Sequence, residues 1–331
     1  MSILSRPPVA SAVARLMQVG TVAAGRRLNR RMHARLPEFT ARTEDLLIPT
    51  SVGDARTTVY RATGTDGTGA APADAAPARA DGTASTGLPP VHVNLHGGGF
   101  VMATTELDDP LCRALAVQTG AVVLNVDYVV APQHRFPVAI HQMHEVLRWV
   151  AENGPAHGWD GSRLTVGGQS AGGSLAAGAA RLAFEQGSGG TSRPTIALQV
   201  LHYPAVDLSI DPQLKRSPLA KPLLRPWMRE VFDHSYIPDR SVSADRLASP
   251  AGAADTVDLT GIAPAVVIAA EYDVLRAEAK RYADRLEAVG ALAEYREIAG
   301  ADHGYDGFDD DAARSSYAFI AEQLRRAVGT V

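Results

Sequence analysis

The pentapeptide Gly168-Gln169-Ser170-Ala171-Gly172 decides the fold, because it joins the apolar segment Leu164–Val166 to an alanine-rich stretch. A Gly-x-Ser-x-Gly pattern between a strand and a helix is typical of a nucleophile elbow, in which a sharp turn exposes the serine hydroxyl. Side chains two residues before and after that serine would collide, so glycine is needed at 168 and 172. The alternative is a glycine-rich turn without catalysis.

A second glycine-rich segment, His96-Gly97-Gly98-Gly99-Phe100, follows the alternating strand pattern Val91–Leu95. Such a loop offers bare backbone amides, which stabilise the oxyanion of a tetrahedral intermediate. We therefore predict an oxyanion hole formed by the amides of Gly98, Gly99 and Ala171. The alternative is a phosphate-binding loop, but no Walker lysine follows and the spacing is not G-x-G-x-x-G. His96 itself is expected to fix the loop.

A serine nucleophile needs a histidine base, and in this fold the chain order is serine, acid, histidine. Only His202, His234 and His303 follow Ser170. The first is expected at a strand end and the second in an irregular insertion. His303 lies in the predicted loop between the last strand and the last helix, where a catalytic histidine belongs.

The orienting carboxylate should close the preceding strand, which the sequence predicts over Ala265–Ala270. Asp273 is our choice for this role, and Glu271 is the alternative. Asp302 is adjacent to His303 in the sequence and would have difficulty reaching its ring, so we interpret it as a loop acid.

The rest of the chain alternates strand and helix patterns, which predicts an α/β fold with a mostly parallel sheet covered on both faces. Low-complexity residues 64–87 are predicted to form a mobile loop within an extended hairpin, and residues 187–194 a second flexible connection. Residues 208–246 interrupt the alternation and are expected to be helical with irregular joints.

Residues 1–44 carry eight arginines and two glutamates. Apolar residues in this segment predict a helix with one stripe, formed by Val13, Leu16, Val19 and Ala23. The simpler interpretation is an arginine-rich helix packed on the body of the protein. The other is a helix that binds a membrane surface or a partner.

Taken together, these segments resemble the hormone-sensitive-lipase-like (bacterial family IV) esterases of the α/β-hydrolase superfamily, over roughly residues 90–310. The resemblance rests on six ordered motifs: HGGGF at 96–100, YVVAPQHRFP at 128–137, GQSAGG at 168–173, Tyr203-Pro204, Asp273–Glu278 and His303-Gly304. It implies an α/β-hydrolase core of residues 45–207 and 247–331, with a helical cap of residues 1–44 and 208–246. It also implies a Ser170–His303–Asp273 triad and ester substrates.

The chain departs from the family pattern at two carboxylates. The family usually has an acid before the nucleophile, where this chain has Gln169, and a Glu after Ala-Pro, where it has Gln133. Val274 and Ala277 also differ from the usual residues. An amide keeps hydrogen-bonding capacity but carries no charge. The three triad residues are unchanged. The two amides alter the residues around the triad, so how those residues position it is left open.

Candidate substrate-binding residues are Phe100, Tyr203, Trp227 and Phe232. Trp227 and Phe232 belong to the insertion, together with Met228 and Tyr236. These side chains are expected either to pack the cap on the core or to line the acyl pocket.

The predicted function is a serine carboxylesterase acting on short- to medium-chain esters, with activity falling below roughly pH 6–7 because a protonated histidine cannot act as the base. The alternatives are an acyltransferase or specialised deacylase of secondary metabolism, and a non-catalytic small-molecule receptor. No metal or organic cofactor is expected, and the single cysteine excludes a Cys-rich zinc site.

Charge and composition limit the partners. The net charge of −4 disfavours nucleic-acid binding, and no apolar run reaches the length of a membrane span. Membrane contact is therefore not expected, and a homodimer through an exposed edge strand is left open. The first 20 residues do not form a signal peptide pattern, so the cytoplasm is the expected location.

Overall fold

The computed structural model describes residues 2–63, 87–187 and 194–329. These residues form one eight-stranded sheet with the order β1-β2-β4-β3-β5-β6-β7-β8. Its strands are β1 (Ala41–Ile48), β2 (Ala55–Ala62), β3 (Pro90–Leu95), β4 (Val122–Asp127), β5 (Asp160–Gln169), β6 (Ile196–His202), β7 (Ala265–Ala270) and β8 (Leu292–Ile298). The β1–β2 and β2–β4 pairs are antiparallel and the other pairs are parallel, which confirms the predicted mostly parallel α/β sheet.

Helices cover both faces of this sheet. The helices of the described residues are α1 (Pro7–His33), α2 (Asp109–Thr119), α3 (Val138–Asn153), α4 (Ala171–Glu185), α5 (Pro226–Tyr236), α6 (Arg276–Glu287) and α7 (Asp310–Val328). Helices α1 and α5 pack on each other, and the other five pack on strands of the sheet. Helix α2 packs on α7, and α3 packs on α4. Alternate strand residues face opposite sides: Val122 and Leu124 join the apolar cluster that includes α3 and α4, whereas Val123 joins the cluster of α2 and α7. This two-sided burial explains why β7 is continuously apolar and why β4 is apolar apart from Asn125 and its last residue, Asp127.

The low-complexity segment does not connect the two strands of a hairpin, so that part of the prediction is wrong. It leads from β2 to β3, and β4 lies between these two strands in the sheet. Residues 64–86 lie outside the described part of the chain, as do residues 188–193 of the second predicted flexible connection.

Most of the predicted apolar stripe of α1 lies outside its packing face, although Val13 packs against the core. Leu16 and Val19 are 71% and 65% exposed, whereas the small residues Ala10 and Ala14 are fully buried. Helix α1 makes close contact with α5, and small side chains allow that approach. The N-terminal helix is therefore packed on the body of the protein, but by a different face from the one the hydrophobic residues indicated.

The two predicted cap segments differ in how much of each is helical. Within residues 208–246, the structure has helix α5 and a short 3-10 turn, Arg240–Val242, joined by irregular chain. The boundary predicted at residue 44 falls inside β1, so residues 41–44 belong to the central sheet.

Candidate active site

Ser170 occupies a strained turn between the end of β5 and the first residue of α4. Its backbone has φ 56° and ψ −116°, a conformation that a non-glycine residue rarely adopts. The flanking glycines are sterically required: a Cβ on Gly172 would lie 1.8 Å from the carbonyl oxygen of Leu95, and a Cβ on Gly168 would lie 2.4 Å from the same atom. The motif therefore folds as the elbow that its sequence predicts.

Three predicted side chains form one hydrogen-bonded chain. Ser170 Oγ lies 2.9 Å from His303 Nε2, and His303 Nδ1 lies 2.7 Å from Asp273 Oδ2. The second oxygen of Asp273 accepts the backbone N–H of Leu275 at 3.0 Å. Asp273 and His303 are both buried. Because a carboxylate can only accept, His303 carries its proton on Nδ1, and the lone pair of Nε2 faces the serine hydroxyl. This arrangement can remove the proton of the hydroxyl.

The two other acids considered for this site lie elsewhere. Glu271 turns to the loop before the histidine and accepts the N–H of Gly300 at 2.7 Å. Asp302 accepts the N–H of His303 and, through its other oxygen, the N–H of Leu223 at 2.6 Å. Both stabilise the loop, and neither contacts the imidazole nitrogens.

The glycine-rich loop after β3 turns beside the elbow. Gly98 and Gly99 have φ values of 125° and 61°, and the carbonyl of Gly98 accepts the N–H groups of Val101 and Met102. Ala171 is the first residue of α4, so its N–H has no acceptor within the helix. Gly99 and Ala171 line the same cavity as Ser170.

His96 is a structural residue at the start of that loop. Its ring stacks on Tyr128 with the ring centres 4.1 Å apart, and its Nδ1 lies 2.6 Å from the carbonyl oxygen of Gly97. Burial lowers the pKa of His96 to about 4, so the ring is neutral at physiological pH.

A small cavity of about 40 Å³ lies beside Ser170. Its wall is formed by Gly99, Phe100, Ser170, Ala171, Ala205, Leu208, Pro212, Lys215, Leu224, Arg229, Phe232, Asp233 and Leu275. Two of the four predicted substrate-binding residues, Phe100 and Phe232, are in this set. Tyr203 is not: its ring lies beside His303, 4.7 Å between ring centres.

Trp227 also lies away from the cavity, and its side chain is 46% exposed. The reason is helical phase. Phe232 lies five positions after Trp227 on α5, which places the two on different sides of the helix. Arg229 and Asp233 share the side of Phe232. This spacing was readable in the sequence and would have found both charged wall residues.

A larger groove of about 490 Å³ lies on the other side of His303. Its wall includes Lys221, Leu223, Arg225, Asp302, His303 and Phe308. Ser170 thus faces the small cavity, and His303 faces the open groove.

Behind the triad lies a buried carboxylate that the sequence analysis missed. Asp306 Oδ1 accepts the hydroxyl of Tyr203 at 2.7 Å, and its Oδ2 accepts from Gln169 Nε2 at 2.5 Å and from the Tyr317 hydroxyl at 2.9 Å. Burial raises the pKa of both tyrosines well above the ordinary value. Asp306 lies only three residues after His303. The signal in the sequence was Gln169, because a buried side-chain amide next to the nucleophile needs an acceptor such as a carboxylate.

A family model described as the alpha/beta hydrolase fold matches residues 92–307, the segment that contains the elbow, the glycine-rich loop and His303. The chain is a member of the hormone-sensitive-lipase-like family of α/β-hydrolases. One relative is carboxylesterase NlhH of Mycobacterium tuberculosis, which is 37% identical to this protein over 221 residues. The aligned region covers 66% of this chain and 67% of NlhH.

A second curated relative and a solved structure are also esterases or ester hydrolases by name. The ethyl acetate hydrolase of Pseudomonas putida is 35% identical over 212 residues, covering 64% of each chain. The chain thus spans about two thirds of NlhH and slightly less of the ethyl acetate hydrolase. The solved structure of an esterase from Pyrobaculum calidifontis has 30% identity and a TM-score of 0.76, with 96% of this chain and 94% of that chain covered.

Two negative findings concern the described residues only. In residues 2–63, 87–187 and 194–329, no helix has the length and apolar character needed to cross a membrane. Within the same ranges, no three His, Cys, Asp or Glu side chains are grouped so that they could hold a metal ion.

Proposed function

We propose that this protein is a serine carboxylesterase that hydrolyses short- to medium-chain carboxylic esters through an acyl-enzyme on Ser170. The observation that carries the proposal is the continuous hydrogen-bonded chain from Ser170 through His303 to Asp273, with distances of 2.9 and 2.7 Å. The names of the relatives support the same reaction class.

The reaction proceeds in two halves. Ser170 Oγ attacks the ester carbonyl while His303 Nε2 takes the hydroxyl proton, and Asp273 stabilises the resulting imidazolium. The tetrahedral intermediate collapses, the bond to the alcohol breaks, and His303 gives its proton to the leaving oxygen. A water molecule then loses a proton to His303 and attacks the acyl carbon, which releases the acid and returns the proton to Ser170.

The developing negative charge needs donors that are already in place. The amides of Gly98, Gly99 and Ala171 are proposed as the oxyanion hole, because they belong to the two loops that meet at Ser170. Removal of one such donor costs about 10²–10³ in kcat in a comparable enzyme. No cofactor is required by this mechanism.

The small cavity and the open groove bind different parts of the ester. The alcohol leaves with a proton from His303, so it belongs on the groove side of that ring. The acyl chain then occupies the cavity bounded by Phe100 and Phe232. The volume of about 40 Å³ favours a short acyl chain.

The cap, the assembly and the location belong to the same proposal. Helix α1 and residues 208–246 form the cap over the acyl cavity, to which 208–246 contributes most wall residues. Strand β8 ends the sheet and is the edge through which a second copy would pair. The cytoplasm remains the expected location, from the sequence.

The first experiment is hydrolysis of p-nitrophenyl esters from acetyl to palmitoyl by the wild-type protein and Ser170→Ala. We expect the highest kcat/KM at short or medium chains, and a loss of at least about 10³-fold in the variant. Ser174→Ala is the matched control, since this serine is buried one turn later in α4. Equal activity of wild-type protein and Ser170→Ala would refute the proposal.

Product analysis with added alcohols separates the esterase from an acyltransferase. The relatives named above are hydrolases or esterases, and we expect free acid as the main product even with excess alcohol. A new ester as the main product would favour the acyltransferase, whereas binding without any turnover would favour the receptor.

A further inference from the structure

The wall of the acyl cavity carries charged side chains where an alkyl chain would need apolar ones. Lys215, Arg229 and Asp233 all line it, and they are 8%, 6% and 6% exposed. Buried charges are costly unless they are paired or hydrogen-bonded. The partners of each group therefore indicate what the cavity binds.

Lys215 is fully engaged with the protein. Its Nζ lies 2.6 Å from Glu278 Oε2 and 2.8 Å from the carbonyl oxygen of Asp207. Glu278 in turn accepts the N–H groups of Val206 and Asp207. This ion pair is internally neutral and anchors the cap to the core, so it does not call for a ligand.

Arg229 is not engaged in this way. Its Nη1 donates to the carbonyl oxygen of Lys215 at 2.9 Å, but its buried Nε has no hydrogen-bond partner among the described residues. A buried donor left without an acceptor carries a free-energy cost, because it has lost its hydrogen bonds to water. A group that supplies the acceptor would recover this cost.

Asp233 lies one helical turn after Arg229 and faces the same cavity. In the described part of the chain, no ion pair within 4 Å and no hydrogen bond joins its carboxylate to another side chain. The cavity wall thus carries an unpaired donor, Arg229 Nε, and an available acceptor, the Asp233 carboxylate, with no hydrogen bond between them.

We propose that Arg229 and Asp233 bind a hydroxyl group on the acyl chain of the substrate, so that the preferred substrates are esters of hydroxy acids. A hydroxyl accepts a hydrogen bond from the guanidinium and donates one to the carboxylate, which matches both groups at once. A carboxylate on the acyl chain would match Arg229 but would face the charge of Asp233, and an alkyl chain would match neither. The proposal rests on the proposed esterase function, because it assigns this cavity to the acyl chain.

The test compares esters that differ only in a hydroxyl and a methyl group. The probes are methyl 3-hydroxybutyrate with methyl 3-methylbutyrate, and methyl 6-hydroxyhexanoate with methyl heptanoate, with acid release followed in a pH-stat. In at least one of the two pairs, we expect kcat/KM for the hydroxy ester to exceed that for its methyl isostere by about 10- to 100-fold. This is the size of the effect of a hydrogen bond to a charged group. Ratios near 1 for both pairs would overturn the proposal.

Variants at Arg229 test whether this residue produces the preference for the hydroxy ester over its methyl isostere. Arg229→Met should bring it close to 1, mainly through KM, and Arg229→Lys should restore only part of it because the Nε donor is absent. Arg216→Met is the matched control on an exposed arginine of the same segment and should leave the ratio unchanged. A ratio that survives Arg229→Met, or survives Arg229→Lys in full if the first variant fails to fold, would overturn the proposal.

Two further outcomes are distinguishable. Faster hydrolysis of monomethyl succinate than of either hydroxy ester would overturn the hydroxyl assignment in favour of an anionic acyl group. Absence of hydrolysis of all these esters and of phenyl acetate by the wild-type protein would instead overturn the proposed esterase function, and the acyl-chain proposal with it.

Discussion

Gln169 donates a hydrogen bond of 2.5 Å from its side-chain amide to the carboxylate of Asp306. Gln169 directly precedes the proposed nucleophile, and Asp306 follows the proposed base by three residues. The contact therefore links the elbow to the histidine loop behind the triad. Since both side chains are buried, with 8% and 2% exposed, the pair needs one donor and one acceptor.

Restoring the acid that the family usually has before the nucleophile should damage this protein. In Gln169→Glu, two carboxylates would lie at hydrogen-bond distance in a buried site, where they cannot both ionise. We expect the free energy of unfolding to fall by about 3–5 kcal/mol, the range for an uncompensated buried charge, with a larger loss at pH 9 than at pH 5. Urea unfolding and kcat on a p-nitrophenyl ester measure the two effects.

The double variant Gln169→Glu with Asp306→Asn restores one acceptor and one donor, so it should recover most of the stability. Gln133→Glu is the matched control, because it restores the family's other acid at an exposed site where Gln133 contacts Gln18. It should change the free energy of unfolding by less than about 1 kcal/mol. A Gln169→Glu variant as stable as Gln133→Glu would contradict this account.

The local elements and the order of the candidate triad were predictable because each depends on short-range signals. The elbow needs its glycines within two residues of Ser170, and the serine, acid, histidine order reduces ten histidines to three. The loop positions after β7 and β8 then select Asp273 and His303. These signals require no knowledge of how distant segments pack.

The features that were not predicted depend on long-range packing. Strand β4 inserts between β2 and β3, so these two strands are not neighbours, which no local pattern shows. Helix α1 contacts α5 and buries Ala10 and Ala14, whereas hydrophobicity alone favoured the larger residues. Asp306 acquires its role only when the last helix meets the elbow.

A methyl group on either glycine of the proposed oxyanion hole, Gly98 or Gly99, should clash with a neighbouring atom. A Cβ on Gly98 would lie 2.4 Å from the backbone oxygen of Met102, and a Cβ on Gly99 would lie 2.3 Å from the ring of Phe232. Both Gly98→Ala and Gly99→Ala should displace the loop and lower kcat by about 10²-fold or more. Steady-state kinetics on p-nitrophenyl acetate measures this loss.

The obstacle at Gly99 is a side chain, so it can be removed. Adding Phe232→Ala, which removes the clashing ring atoms including Cγ, should recover part of the kcat of Gly99→Ala but none of that of Gly98→Ala, whose obstacle is backbone. Gly120→Ala is the control, because it has a φ of 68° with open space around it and lies at the end of α2. Equal rescue of both loop variants would show that the Phe232 clash is not the cause.

Asp108 should make the protein less stable as the pH rises. Burial raises the pKa of this carboxyl to about 8, against the opposing hydrogen bond from Asn94 and with a smaller contribution from the charge of Asp306. A group with a raised pKa in the folded state contributes stability below its unfolded pKa, near 4, and loses that contribution as the pH passes through about 8. Asp108→Asn should therefore raise the free energy of unfolding on the order of a few kcal/mol at pH 8, and little at pH 4.

The neighbouring residue gives a control of opposite sign. Asp109 is also buried, but its carboxylate lies 2.8 Å from Arg113 Nε. Asp109→Asn leaves that guanidinium without its charge partner and should lower the free energy of unfolding by about 3–5 kcal/mol. Urea titrations of both variants at pH 4 and pH 8 decide the point, and a stabilised Asp109→Asn or a pH-independent Asp108→Asn would contradict it.

Asp273→Asn should preserve the geometry of the site and remove most of its activity. The hydrogen bond of 2.7 Å to His303 Nδ1 selects the tautomer with a free lone pair on Nε2, whereas an amide can donate its own hydrogen and stabilise the wrong tautomer. We expect kcat on p-nitrophenyl acetate to fall about 10⁴-fold with little change in KM, as for the equivalent change in a known triad. Glu271→Gln is the matched control, since this acid binds the N–H of Gly300 and should change kcat by only a few fold. A larger loss in Glu271→Gln than in Asp273→Asn would transfer the orienting role to Glu271, because only the acid that fixes the imidazole tautomer acts on the proton transfer itself.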